Sequence, residues 1–215
     1  MTEQQSADDT EGTIRFAYSL EAPIGAVADA DTVAALRGWR EVLRRLGLLG
    51  QHPARYGGLG FGNMSARDPA RPDQMIITAS QSSGAETLED DDLVRIVRSN
   101  PARFWVDAVG RQPPSSETLT HAMIYQADAA VRWVFHAHSP DIWRRATALG
   151  LPATPAAVAY GSTAMVEAVA QLIAAQEPGP LAFVTHGHED GVFACGASAE
   201  EAGSALVALL ARVLA

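Results

Sequence analysis

The sequence predicts one α/β domain in which helices cover a mixed or antiparallel sheet. Segments of helical spacing alternate with short apolar runs of strand length. No break in composition divides the chain, and no internal repeat is visible, which points to one layered unit rather than an array.

In chain order, residues 1–30 are polar and then rich in Ala and Gly, without sustained periodicity. They read as a partly disordered N-terminal segment, with at least the first 12 residues a free tail, and the folded domain is assigned to 31–215. From Asp31 onward Val33, Leu36, Trp39, Leu43 and Leu46 recur at helical spacing. Asp31 is the expected N-cap and Gly47 or Gly50 the stop. A glycine-rich stretch, Tyr56 to Ser65, precedes a strand at Gln74–Thr78, and a polar loop then runs through Gly84. Leu88 to Ser99 reads as strand or short helix, with the acidic run Glu89–Asp92 a solvated helix start. Pro113-Pro114 breaks the chain before a helix over Glu117–Ala127. Val131–His136 is a strand, and Ser139 or Asp141 caps the helix after it. An amphipathic helix, Thr163–Gln176, ends at Pro178-Gly179-Pro180. Leu181–Val184 and Gly191–Cys195 are buried strands, with Cys195 as core packing, and Ser198–Leu214 is a closing helix.

Composition excludes several functions. The 215 residues are 47% hydrophobic, enough for a substantial core. The net charge of −9 has the wrong sign for binding nucleic acid through its phosphates. All 16 basic residues are arginine, so Schiff-base, pyridoxal-phosphate and P-loop lysine chemistry are ruled out. The one cysteine permits neither an internal disulfide nor a Cys-rich metal site. With no apolar run long enough to span a bilayer and no secretory-type leader, a cytoplasmic protein without membrane partners is expected.

Of the six histidines, four form two close pairs, His136/His138 and His186/His188, each following a hydrophobic strand. Residues i and i+2 of a strand share a face, so His136 and His138 can aim two imidazoles at one point. Converging neutral imidazoles bind zinc and similar cations, and a third from the second pair would leave one position open, as catalytic sites require. Glu117 follows Ser115-Ser116 where a helix begins; Ser-Ser-Glu alone is ordinary N-capping sequence. The stretch Gly57–Ser65 can wrap an anion or simply make turns, and it carries no nucleotide-binding motif. His121, one turn beyond Glu117, is assigned to the surface or to a place behind the site, and His52 to a solvated loop.

Five blocks occur in order: Gly62-Asn63-Met64-Ser65-Ala66-Arg67, Ile77-Thr78-Ala79-Ser80, Pro114-Ser115-Ser116-Glu117, His136-Ala137-His138-Ser139, and His188-Glu189-Asp190-Gly191 continuing to Gly196. Tyr160-Gly161-Ser162 precedes the Thr163 helix. In this order and spacing the chain resembles the class II aldolase/adducin family, which includes L-fuculose-phosphate aldolases, L-ribulose-phosphate 4-epimerases and methylthioribulose-phosphate dehydratases. The resemblance implies an α/β/α domain around a mostly antiparallel sheet. It implies a divalent metal, Zn2+ or else Mn2+, Co2+ or Fe2+, on His136, His138 and His188, with His186 as the alternative third ligand. It further implies Glu117 as the catalytic acid/base and Asn63, Ser80, Ser115 and Ser116 as the substrate- or phosphate-binding set. The implied activity is a metal-dependent lyase on a small hydroxy-keto or sugar-phosphate substrate, through an enediolate, in a homotetramer. An epimerase or dehydratase on the same site, or a non-catalytic adducin-like assembly module, are the alternatives.

Three departures bear on that reading. Glu189 and Asp190 are inserted after the second histidine pair, and the resulting H-E-D-G form favours His188 over His186. Gln81 stands where phosphosugar members carry glycine, which opens the way to a carboxylate or unphosphorylated substrate. No tyrosine follows Tyr160, so a protonating phenol would have to come from Tyr125, Tyr160 or elsewhere.

Overall fold

The computed structural model describes residues 11–177 and 179–215. Its strands are β1 (Ala17–Glu21), β2 (Gly50–Gln51), β3 (Gly60–Phe61), β4 (Asn63–Arg67), β5 (Met75–Thr78), β6 (Leu93–Asn100), β7 (Trp105–Val109), β8 (Trp133–His138), β9 (Ala153–Thr154), β10 (Leu181–Thr185) and β11 (Gly191–Gly196). Its helices are α1 (Ala30–Arg45), α2 (Thr118–Ala127), α3 (Pro140–Arg144), α4 (Ala146–Leu149), α5 (Thr163–Ala174) and α6 (Ala199–Leu214). Nine strands form one sheet in the order β1-β7-β6-β5-β4-β8-β11-β10-β9, and β2 pairs with β3 alongside. Only β1/β7 and β10/β9 run parallel.

Alternation along the strands builds two cores. Ile77, Val134, Phe193 and Cys195 face one side, packed with Leu119 and Ile124 of α2 and Val166 and Val169 of α5. Ile76, Phe135, Val192 and Ala194 face the other, packed with Leu36 and Leu43 of α1 and Leu206 and Leu209 of α6. The period of two thus divides each strand between two helical layers, giving the α/β/α arrangement. No helix of the described residues is long and apolar enough to cross a membrane.

Several elements differ from the sequence reading. Residues 17–21 are a strand within the segment expected to be partly disordered and to lie outside the folded domain. Phe16, Tyr18 and Leu20 alternate with Ala17, Ser19 and Glu21, a short period of two, yet every β1 side chain is exposed; backbone pairing with β7 holds the strand, and Phe16 beside it enters the core. Of the expected tail, residues 1–10 lie outside the described residues, whereas Glu11 and Gly12 are placed against the protein. The α1 cap is Asp29, not Asp31: its carboxylate accepts from Thr32 N at 2.9 Å and Thr32 Oγ1 at 2.7 Å. The Leu88–Ser99 region is a strand from Leu93, entered through a short turn at Asp90–Asp92. The strand expected at 131–136 runs from Trp133 to His138, so both histidines of the pair lie within it. Ser139 caps α3 and Ser198 caps α6.

The α1–α6 contact depends on a missing side chain. A Cβ at Gly203 of α6 would lie 2.2 Å from Cε3 of Trp39 on α1. Gly203→Val is therefore expected to destabilise the fold by about 1–3 kcal/mol, the usual range for overpacking. Urea unfolding reads this directly, and an unchanged midpoint would mean that the indole moves aside freely.

Candidate metal centre

Strand β8 lies between β4 and β11, and the ladder sets Asn63, His136 and Phe193 in one row across the three strands. His136 and His138 share the strand face turned to α2 and α5, while Ala137 enters the opposite core. Gly191 is paired with His138 on the next strand; a Cβ there would lie 2.3 Å from Thr185 Oγ1 and 3.3 Å from His136 Cε1. His188 arrives from the turn between β10 and β11. Gly187 before it permits close approach, since a Cβ would overlap the Val158 carbonyl.

The three imidazoles converge. His136 and His138 are fully buried and His188 is 4% exposed. Each offers one nitrogen to a common point, with the three atoms within 4.8 Å of one another. His136 Nε2 and His138 Nε2 are 3.0 Å apart. Two nitrogens on one tetrahedral zinc at 2.0–2.1 Å would be separated by about 3.4 Å. Aromatic rings wedge all three: Phe193 stacks on His136 at 4.2 Å, Tyr160 stacks on His188 at 4.4 Å, and Tyr56 meets His138 edge-on at 4.7 Å.

Two carboxylates close on the cluster. Glu117 Oε2 is 2.8 Å from His136 Nε2 and accepts from Asn63 Nδ2 at 3.0 Å, while Oε1 is 3.2 Å from His188 Nδ1. Glu11 Oε2 is 2.8 Å from His188 Nε2, and Oε1 is 3.8 Å from His138 Nε2. Burial by itself would push the Glu117 carboxyl up, but His136 and His188 beside it hold it well below the usual range. His138 is held well below its ordinary value by burial, with His188 and His136 adding to the effect, so its lone pair is free to bind a cation. Burial opposes a charge on His188, yet Glu117 and Glu11 overcome it and raise that ring to about 10. The carboxylates thus draw positive charge into the centre, which a divalent cation could supply in place of a proton. The donor set therefore fits a zinc-like ion.

Of the two candidates for the third position, the structure brings His188 into the cluster. His186 instead packs edge-on against Trp143 at 5.3 Å, outside it. Glu117 precedes α2 without capping it, because its side chain turns to the histidines. The Ser80 loop lies beside the Ser115-Ser116 loop: Ala79 bridges Pro114, and Ser80 N donates to Pro113 O at 2.9 Å. Ser115 and Ser116 are both buried just ahead of Glu117. Gln81 adopts a left-handed φ of 59° and clasps Gly60, accepting from its N–H at 2.8 Å and donating to its carbonyl at 3.4 Å.

Three contributors carried no strong sequence signal. Glu11 lay in the expected tail. Tyr56, at a left-handed φ of 48°, donates to Asp190 Oδ2 at 2.7 Å, and Asp190 itself has a φ of 62°. The only sequence cue to Tyr56 is its place ahead of Gly57-Gly58. A cavity of about 590 Å³ opens beside the cluster between Tyr56 and Tyr160, with Glu11 and His188 on its wall.

His121 is not on the surface. It is fully buried, with Nδ1 2.7 Å from Ser65 Oγ, which is in turn 2.8 Å from the Tyr125 hydroxyl. The Tyr125 phenol is thereby engaged behind the cluster. The Tyr160 hydroxyl accepts from Thr13 N at 3.1 Å.

The fold and the cluster together define a single-domain α/β protein with a buried three-histidine centre flanked by a carboxylate. The chain belongs to the class II aldolase family: the family model described as "Class II Aldolase and Adducin N-terminal domain" matches residues 52–212. No curated protein matches it significantly. Among solved structures it is similar to an L-fuculose 1-phosphate aldolase, at 20% identity and a TM-score of 0.65 over 86% of this chain and 84% of that one. It is also similar to the L-fuculose-1-phosphate aldolase of Thermus thermophilus, at 20% identity and TM-score 0.61 over 86% and 92% of the two chains. A sugar-phosphate aldolase of Thermotoga maritima gives 17% identity and TM-score 0.63 over 86% and 92%. These likenesses bear out the α/β/α fold with a mostly antiparallel sheet.

Burial lowers the His121 pKa from 6.5 to about 3. Between those values the unfolded chain holds a proton that the folded chain refuses, so stability rises with pH through the window and falls as acid is added. His121→Gln is expected to flatten this slope, read as the thermal midpoint against pH. An unaltered slope would mean that His121 protonates in the folded state as it does in the unfolded chain.

Proposed function

We infer that this chain is a divalent-metal-dependent lyase of the class II aldolase type, acting on a small hydroxy-keto or sugar-phosphate substrate. The observation that carries the reading is the convergence of three buried imidazoles beside Glu117, at the edge of an open cavity. His136, His138 and His188 would hold the ion, and an all-nitrogen set favours Zn2+, with Mn2+, Co2+ or Fe2+ as alternatives. When bound there, such an ion would supply Lewis acidity toward a substrate carbonyl and toward the negative charge that proton loss or carbon–carbon cleavage leaves.

The chain's own residues supply the rest. Glu117 moves the proton, and Asn63, donating to Oε2, fixes which oxygen does so. The Ser80, Ser115 and Ser116 loops, together with Asn63, receive the substrate's polar end. Tyr56 and Tyr160 form the cavity walls and limit the water around the reacting group. The reading includes a homotetramer, as the family resemblance implies, and the cytoplasmic location expected from composition; light scattering tests the assembly. An epimerase or dehydratase would use the same groups with different proton traffic, and product analysis separates them. A non-catalytic assembly module has no need of converging imidazoles.

Glu117→Gln is expected to lower turnover by about 10²–10⁴-fold, the usual contribution of a general acid/base, while metal content is kept. His136→Ala and His188→Ala should lose the metal, and His186→Ala should keep it, measured by elemental analysis of the purified chains. Carbon–carbon cleavage of hydroxy-keto substrates that persists after chelation would reject the reading.

A further inference from the structure

We propose that Glu11 is a fourth and exchangeable protein ligand of the metal centre, delivered from the N-terminal segment to the side that faces the cavity. The proposal rests on the reading of His136, His138 and His188 as a metal site. One Glu11 oxygen lies 2.8 Å from His188 Nε2 and the other 3.8 Å from His138 Nε2, so the carboxylate spans two of the three imidazoles. The side chain is only 12% exposed, yet it forms part of the cavity wall. It lines that cavity together with His188, whereas His136 and His138 do not reach the wall.

This placement is built into the chain. Phe16 is buried in the core, and the strand that follows it pairs with β7. Arg15 donates to the Tyr160 carbonyl at 3.2 Å, with its guanidinium 5.0 Å from the centre of the Tyr160 ring. Thr13 N donates to the Tyr160 hydroxyl at 3.1 Å. Gly12 has a left-handed φ of 75° and lies flat on Gln81, where a Cβ would fall 2.0 Å from Nε2. Tyr160 in turn stacks on His188. The segment that carries Glu11 and the ring that orients His188 are thus tied to one another.

Charge explains why a carboxylate is placed there. A divalent cation on three neutral imidazoles beside Glu117 alone would leave one uncompensated positive charge in a buried site, and buried charge without a partner is costly. With Glu11 the centre is neutral. A substrate that takes Glu11's place must then bring an anionic oxygen of its own, as a deprotonated hydroxy-keto group or a 2-oxo acid carboxylate does. Glu117, held by Asn63 and two histidines, stays in position for proton transfer while Glu11 leaves.

The test is a Co2+ titration of the metal-free full chain and its Glu11→Gln variant, followed by visible ligand-field absorption, with circular dichroism confirming equal folding. The variant is expected to show altered bands and at least about tenfold weaker Co2+ binding, since loss of an outer partner of a ligand already costs that much. Identical bands in the two proteins would overturn the assignment of Glu11, whatever the affinities. Failure of the unaltered chain to bind Co2+ at all would overturn the three-histidine centre, and Glu11 with it. That outcome is seen in the first titration, before any variant is compared.

Discussion

Two carboxylates, the buried Glu117 and the largely covered Glu11, set against three imidazoles are the constraint on which the rest of this molecule turns. Removing an ionised carboxylate from water costs several kcal/mol even after relaxation, unless positive charge and hydrogen bonds answer it. Glu117 is answered by Asn63, His136 and His188, and Glu11 by His188. A proton on His188 offsets only one of the two negative charges, and burial keeps His138 neutral. A divalent cation at the point where the nitrogens converge offsets both. The electrostatics and the donor geometry therefore ask for the same occupant.

The sheet supplies the geometry that such a centre needs. A strand in the middle of a sheet is fixed by ladders on both sides, and β8 has β4 on one edge and β11 on the other. One register row holds Asn63, His136 and Phe193, so the residue that orients Glu117, an imidazole of the cluster and the ring stacked on it move as one unit. Gly62 shows how close this packing is: its φ is 78°, and a Cβ there would fall 2.9 Å from the His136 carbonyl. Chemistry that depends on sub-ångström positions is better served by strands than by loops. The one histidine that comes from a turn, His188, is steadied by the Tyr160 ring.

Much of this was legible in the residues because period and spacing are local properties. The H-x-H pair announced a shared strand face, and the buried strands announced themselves through their apolar runs. The ordered blocks identified the family, and the two inserted residues after His188 pointed to the histidine that the fold brings into the cluster. What stayed hidden depends on long-range contacts or on the backbone. Strand β1 carries only the short alternation Phe16, Tyr18, Leu20 and has no buried face within the strand; its stability comes from hydrogen bonds to β7. Glu11 lies in a polar stretch and gains meaning only through His188, 177 positions away. His121 is polar and near a helix start, and its full burial follows from a partner on β4, Ser65. Tyr56 and Asp190 meet across 134 positions, both in left-handed backbone that neither residue type advertises.

The departure at Gln81 ties the entrance of the site to the N-terminal segment. A glycine at that place would leave backbone N–H groups open to an anion, as phosphate-binding loops do. Here the amide of Gln81 binds both the N–H and the carbonyl of Gly60, and a Cβ on Gly60 would meet Ser83 Oγ at 2.5 Å, so the loop is filled by its own side chains. Gly12 lies on that same amide, and Glu11 extends from Gly12 to the histidines. The side chain that occupies the loop is thus also the floor under the segment that covers the centre. On the proposed reading, recognition shifts from a phosphate cradle to the hydroxyls near Ser80, Ser115 and Ser116 and to the charge at the metal, with Tyr56 and Tyr160 fixing the width of the passage between them. That balance favours a small substrate whose affinity comes from the oxygens that react.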